Sequence, residues 1–262
     1  MGVIRILVRT TLALLWMTCC ALGCMVWQIG RGWPAIIRAS FFTRKWGEML
    51  VKIMGIRLTV KGGGGQPVNG CLIVSNHAGY LDVVVHAAIV RLRFASKKEV
   101  KYWPVIGWML AASRPVWIDR KNRTVSGQAL QAFKASLEHG LNLLVYPEGG
   151  TTDDSGDLRE FKSTAFEAVA GTNLPVQPLV TVFDPGEKGM NLAWYGDQTL
   201  VPHLGKVLAM KQISCTVYVL KKEYAQDGES RKMLALRIYN LINHVRQLVR
   251  DGNMAEVEKF LQ

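Results

Sequence analysis

The sequence predicts an α/β fold: a mixed, largely parallel sheet covered by helices, preceded by an N-terminal membrane-anchoring helical segment. Two observations carry the prediction. Short apolar, β-rich runs alternate with longer segments of helical period through most of the 262 residues, the pattern of strands linked by crossover helices. Ahead of them, residues 10–30 form a 21-residue run without a charged side chain, bounded by Arg9 and Arg31. Such a run is long enough to span a hydrocarbon core of about 30 Å. A chain of this length holds one α/β domain with a substantial core plus an appendage.

Residues 1–32 make up the apolar anchor. The alternative, a cleaved signal peptide, needs a small-x-small site before a polar mature start. Apolar sequence instead continues past Ala21-Leu22-Gly23-Cys24. Within residues 34–54, Ile37, Phe41, Trp46, Met49, Leu50 and Ile53 recur at helical spacing, with Arg38, Lys45 and Lys52 on another face. That composition suits a basic amphipathic helix at a membrane interface, or a helix packed on its own domain. Paired with the first helix, it also allows a re-entrant hairpin in place of a span. Residues 56–60 alternate as a strand. Gly62 to Gly65 then read as a flexible connector, because no Gly-Lys-Ser/Thr follows to make a phosphate loop.

The interfacial helix and linker thus occupy 33–66, and the main domain occupies 67–222. Its predicted strands are 71–75, 92–96, 115–118, 142–146, 176–183 and 213–219. Its predicted helices are 80–90, 98–111, 124–138 and 160–170. Residues 223–262 read as a polar helical tail with a helix over 229–250.

The net charge of +12 is uneven: residues 31–123 alone carry 16 Lys/Arg against four acidic residues. This basic excess just after the apolar run suits an anionic bilayer surface or an acidic partner and places the main domain on the cytoplasmic side. No recognisable nucleic-acid module accompanies it, so a nucleic-acid partner is not expected. The five cysteines (19, 20, 24, 71 and 215) lack metal-type spacing, and three lie in the apolar run. They read as reduced thiols rather than a disulfide framework.

The densest chemistry lies in Ser75-Asn76-His77-Ala78-Gly79-Tyr80-Leu81-Asp82. Neutral His accepts a proton near pH 7, and a neighbouring carboxylate fixes its tautomer and stabilises the imidazolium that forms. A separation of five is not a same-face helical spacing. The pair can meet only if His77 sits in the loop leaving strand 71–75 and Asp82 lies near the start of the next helix, with Gly79 easing the bend. His86, His139, His203 and His244 have no such company and read as structural or surface residues.

Further motifs follow in order: Phe94-Ala95-Ser96-Lys97, Pro104-Val105-Ile106-Gly107, Trp117-Ile118-Asp119-Arg120, Tyr146-Pro147-Glu148-Gly149-Gly150-Thr151-Thr152 and Leu174-Pro175-Val176-Gln177-Pro178-Leu179-Val180. Together with the His77 segment they resemble the 1-acylglycerol-3-phosphate acyltransferase superfamily of glycerolipid and lysophospholipid acyltransferases, over about residues 70 to 185. The resemblance implies transfer of a fatty acyl chain from acyl-CoA or acyl carrier protein to a lysolipid hydroxyl at the cytoplasmic face of the inner membrane. It implies His77 as the base and Asp82 as its orienter, no covalent intermediate, and neither a metal nor a redox cofactor. It also implies an acceptor site built from Glu148, Gly149, Gly150 and Thr151, with Lys97 and Arg120 contacting the headgroup.

By family frequency the acceptor is 1-acyl-sn-glycerol-3-phosphate. One departure bears on that. Members that form phosphatidic acid usually carry an Arg where this chain has Thr151, and Thr cannot replace a bidentate phosphate donor. Arg159 and Lys162, just after the loop, are other basic candidates. Trp194-Tyr195-Gly196-Asp197, followed by His203-Leu204, is similar to the lyso-ornithine-lipid acyltransferase branch, which also tends to lack the Arg. From another class, a non-catalytic lipid-binding protein on the same fold would not need the His77–Asp82 pair.

Overall fold

The structure, a computed structural model, describes residues 2–27, 32–63, 70–103, 106–119, 123–153, 155–186 and 189–262. Among them, β1 (Ile56–Lys61), β2 (Leu72–Ser75), β3 (Leu92–Lys97), β4 (Val116–Ile118), β5 (Asn142–Val145), β6 (Val176–Phe183) and β7 (Ile213–Val219) form one sheet. The strand order is β1-β7-β6-β2-β5-β3-β4. Every neighbouring pair is parallel except β6 with β7. The sheet is therefore mixed and largely parallel, as the alternation predicts, and the carboxyl ends of β2 to β6 share one edge.

Helices cover both faces: α1 (Gly2–Trp27), α2 (Trp33–Met54), α3 (Tyr80–Ile89), α4 (Ile106–Ala112), α5 (Arg123–Glu138), α6 (Leu200–Ala209), α7 (Arg231–Arg250) and α8 (Met254–Glu258). The pleat divides the core in two. Ile73 and Leu144 join the layer with α2, α3 and α6, while Leu72, Val74, Leu143 and Val145 join the layer with α5 and α7. Both faces of β2 and β5 are buried, which is why these strands read as unbroken apolar runs. Each such side chain contributes about 1.5–3 kcal/mol by leaving water.

The segment 223–262 belongs to this core. Along α7, Leu234, Ile238, Ile242 and Val245 follow the helical period and are fully buried beneath the sheet, opposite a polar face. Ser230 caps the helix, accepting the Met233 N–H.

Some boundaries differ from expectation. The helix expected over 98–111 is a 3₁₀ turn, Lys98–Tyr102, followed by α4. Trp103 is extended, as suits a residue preceding a proline. Pro104 and Val105 themselves lie outside the described residues, as do residues 28–30 and Gly64 and Gly65. The helix expected over 160–170 contracts to the 3₁₀ turn Ala165–Ala168. Tertiary partners take the upstream backbone donors there: Leu158 N–H goes to Asn243 Oδ1 and Lys162 N–H to the Pro147 carbonyl. Helix α6 had no counterpart in the sequence reading. Its Pro202 falls in the first turn, where a missing N–H costs little.

On α2 the buried face is a column of mostly small residues, Ala35, Ala39, Thr43 and Gly47, ending at Leu50, Val51 and Met54. The bulky stripe read from the sequence is only partly covered: Phe41 stays 48% exposed and Met49 37%. The small column meets α3 closely. A Cβ at Gly47 would lie 2.5 Å from the Ala88 backbone nitrogen and 2.7 Å from Ala87 Cβ.

Helix α1 lies along the domain. Arg9 donates to the carbonyls of Leu208 (3.1 Å), Met210 (2.6 Å) and Lys211 (3.1 Å) at the end of α6. Near its other end, Gly23 meets Phe42 of α2. Residues Gly2–Gly23 are long and apolar enough to cross a membrane, and Val3, Ile4, Leu7, Val8, Leu14 and Leu15 stand exposed on one side.

Helix propensity alone makes Gly47→Ala stabilising by about 1 kcal/mol. The contact with α3 reverses the sign, because an overpacked methyl costs about 1–3 kcal/mol. Thermal unfolding of the detergent-solubilised protein should show a lowered Tm for Gly47→Ala. An unchanged or raised Tm contradicts the close helix crossing.

Candidate active site

Strand β2 ends at Ser75 and α3 begins at Tyr80, so His77 occupies a loop at the carboxyl edge of a central strand, where open α/β sheets place their ligand crevices. Asp82 sits in the first turn of α3. Its Oδ2 accepts the backbone N–H groups of Ala78 (2.7 Å) and Gly79 (2.9 Å), capping the helix, and lies 2.8 Å from His77 Nδ1. A carboxylate oxygen only accepts, so the network assigns the imidazole proton to Nδ1 and leaves the lone pair on Nε2. Asp82 is fully buried, while the His77 side chain is 17% exposed.

Gly79 plays a different part from the one expected. Its backbone is extended, at φ 171°, a conformation open to any residue. What it supplies is space: a Cβ there would lie 3.1 Å from the Trp194 nitrogen. That N–H donates to the Ala78 carbonyl at 2.8 Å.

Glu148 ties a second loop to His77. Its Oε1 accepts the His77 backbone N–H (2.8 Å) and its Oε2 accepts the Arg159 N–H (3.1 Å). Burial raises its carboxyl above the usual range, and these two N–H groups oppose the rise. The Gly149 N–H closes the turn onto the Tyr146 carbonyl at 3.1 Å, and Thr152 N–H reaches the His77 carbonyl at 3.1 Å. A Cβ at Gly150 would lie 3.1 Å from Arg159 Nη1, so that guanidinium hangs over the loop.

His77, Asp82, Glu148, Gly149, Gly150 and Thr151 thus come together. Lys97 ends β3, on the same edge but two strands from β2, and Arg120 lies outside the described residues. Among the described residues no group of three His, Cys, Asp or Glu side chains is arranged to hold a metal.

Three features of the site went unread in the sequence. The Tyr146 ring stacks on His77, with centroids 3.9 Å apart and planes 11° from parallel. Beneath it His86, set aside as structural, bridges the Tyr146 hydroxyl and Thr181 Oγ1, both at 2.8 Å. His86 stands one helical turn after Asp82, a same-face spacing that was available as a signal. Burial pushes its imidazole down to about 4 and holds the Tyr146 phenol well above its ordinary range. The third feature is α7, which holds the far side of the Glu148 loop. Arg246 and Arg250 donate to the Gly156 carbonyl, Gln247 to Asp157, and the Tyr239 hydroxyl to the Leu158 carbonyl.

Beside the His77 loop opens a cavity of about 230 Å³ whose wall includes Ala78, Asp153, Ser155, Asp184 and Asn191. Hydrogen bonds from the Ser155 hydroxyl and N–H hold the Asp153 carboxyl below its usual value. It is therefore anionic at neutral pH.

A family model described as Acyltransferase matches residues 57–182. The chain is 34% identical, over 195 residues, to a lyso-ornithine lipid O-acyltransferase from Rhodobacter capsulatus, covering 72% of this chain and 69% of the relative. A protein of the same name from Pseudomonas aeruginosa is 30% identical, covering 74% and 73%. A 1-acyl-sn-glycerol-3-phosphate acyltransferase from Neisseria gonorrhoeae is 28% identical, covering 68% and 69%. In fold, the chain is similar to the crystal structure of the 1-acyl-sn-glycerophosphate acyltransferase PlsC from Thermotoga maritima. The TM-score is 0.66 at 16% identity, covering 95% of this chain and 96% of that one.

His86 binds a proton less readily in the fold than in the unfolded chain. Its contribution to stability is therefore complete above about pH 6.5 and is lost as the pH falls towards 4. With about 3 kcal/mol at stake, the wild-type Tm should drop across that window, and His86→Gln should flatten the drop. Thermal melts between pH 7 and 4 read the difference, and parallel curves for the two proteins contradict it.

Proposed function

As the chain belongs to the acyltransferase family and is an O-acyltransferase, we propose that it acylates the free hydroxyl of a lyso-ornithine lipid, taking the acyl chain from acyl-CoA or acyl carrier protein. His77 Nε2, held in the accepting tautomer by Asp82, removes the acceptor's hydroxyl proton as the oxygen attacks the thioester carbonyl. The tetrahedral intermediate then collapses, the carbon–sulfur bond breaks, and the imidazolium returns its proton to the leaving thiolate. Asp82 stabilises that imidazolium in between. Glu148 keeps the acceptor loop registered on His77 through their shared N–H bond.

The observation that carries the acceptor assignment is the cavity beside Ala78, where Asp153 and Asp184 contribute carboxylates. Thr151 stands where a phosphate-binding Arg is usual in the family. Anionic walls favour the ammonium of an ornithine headgroup and repel a phosphate monoester, and Arg159 over Gly150 suits the ornithine carboxylate. Two of the relatives above carry the name of this activity. The second reading, 1-acylglycerol-3-phosphate, is favoured by the same Arg159 and by the Neisseria relative.

We place the enzyme on the cytoplasmic face of the inner membrane. Because α1 is pinned to α6 by Arg9 and reaches α2 by Gly23, its exposed apolar side suits a re-entrant hairpin lying in the interface. The basic excess of residues 31–123 attracts anionic headgroups.

The test is thiol release from palmitoyl-CoA and acyl-ACP by the detergent-solubilised protein, with lyso-ornithine lipid, lysophosphatidic acid and lysophosphatidylcholine as acceptors. Release should depend on lyso-ornithine lipid and fall at least about 100-fold in His77→Ala. Replacing Asp153 and Asp184 by Asn should raise the KM for that acceptor about tenfold, the loss of about 1.4 kcal/mol of binding. Release with lysophosphatidic acid alone moves the acceptor to the second reading. Silence with every pair, from folded protein, overturns the proposal.

A further inference from the structure

A direction can be assigned to the buried polar chain under His77 by working outward from the Asn76 amide. The Asn76 amide is fixed by Thr181: its Oδ1 accepts the Thr181 N–H (2.8 Å) and its Nδ2 donates to the Thr181 carbonyl (2.9 Å). Ser75 Oγ lies 3.4 Å from that Oδ1 and donates to it. Ser75 therefore accepts from Thr181 Oγ1, 3.3 Å away, and Thr181 Oγ1 in turn accepts from His86 Nε2–H at 2.8 Å. A neutral imidazole has one N–H. His86 Nδ1 is then the acceptor, and the Tyr146 hydroxyl donates to it at 2.8 Å. A phenol that donates a hydrogen bond gains partial negative charge on its oxygen and ring, and that ring lies 3.9 Å from His77, stacked face to face.

We propose that Tyr146 and His86 are positioning residues for the base: the donating chain holds the Tyr146 ring flat under His77 and favours the imidazolium that forms when His77 takes the acceptor's proton. The inference rests on the reading of His77 as that base. Among the described residues the carboxylates hydrogen-bonded to His77 are Asp82 from α3, at the ring, and Glu148 from the loop after β5, at the backbone N–H, and neither is altered by the substitutions below. Tyr146 and His86 keep their own protons throughout, so their part lies in orientation and charge rather than in proton transfer.

The pH–rate profile of the full-length protein, measured with the acceptor it turns over, tests this. Tyr146→Phe keeps the stack but removes the donor. It should lower kcat about three- to tenfold with the acceptor KM unchanged. The acid limb should move down by about half a pH unit to one unit, the same factor expressed as proton affinity. The sign follows from the roles: His77 works unprotonated, and a less stabilised imidazolium releases its proton at lower pH. Thr181→Val cuts the chain from its far end with both rings in place and should shift the limb the same way by less. His86→Gln, which still offers an acceptor and a donor, should stay closer to the wild-type profile than His86→Leu.

A folded Tyr146→Phe with wild-type kcat and limb overturns the proposal, as does a loss of rate with the limb unmoved, which marks a merely structural role. If Tyr146→Phe does not fold, the limb of Thr181→Val decides. A wild type silent with every acceptor overturns the underlying reading instead, before any variant is compared.

Discussion

Asp82 Oδ2 gathers three donors: two backbone N–H groups and the imidazole of His77. Burying a carboxylate this deeply is costly, and the cost is offset by those donors and by the positive end of α3 on which it sits. The same oxygen that starts the helix also sets the tautomer of His77. The site's geometry is therefore inherited from the placement of α3, which depends in turn on α2 crossing it at Gly47. A change at that remote crossing reaches the imidazole through one rigid helix.

Much of this was legible in the sequence because it is local. The separation of five between His77 and Asp82 excluded a shared helix face and required a strand-to-helix loop, which is where the pair is found. The unbroken apolar runs of β2 and β5 located the centre of the sheet, whereas α7, read as part of a polar tail, buries Leu234, Ile238, Ile242 and Val245 in the core. What escaped was set by distant partners. Residues 160–164 have helical composition but spend backbone donors and their neighbours' donors on the Pro147 loop and α7. On α2 the large apolar stripe, read first as a membrane-interfacial face, stays partly exposed, and close approach to α3 selects a column of small residues that the sequence reading passed over. Tyr146 and His86 are 60 residues apart in sequence, and only the fold brings them under His77. Arg120, read as a headgroup contact, lies outside the described residues, and Lys97 stands two strands away along the edge.

Charge is sorted within the molecule. The basic excess lies in residues 31–123, on and after the helices that carry the exposed apolar side chains of α1 and α2. Carboxylates line the cavity beside the His77 loop. In the proposed account the first distribution brings the enzyme to an anionic bilayer and the second selects a headgroup that carries an ammonium. Neither is needed to fold the sheet, whose stability comes from the two apolar layers around β2 and β5.

The central claim is that His77 acts as a base that the Asp82 carboxylate holds in place and stabilises once it is protonated, and turnover by Asp82→Asn tests it most directly. Oδ2 alone takes all three donors, so an Asn oxygen in its place keeps α3 capped and still accepts His77 Nδ1–H, but brings no negative charge to stabilise the imidazolium. The account predicts a protein with near-native Tm whose kcat falls at least about 100-fold. A folded Asp82→Asn that keeps most of its rate would contradict it.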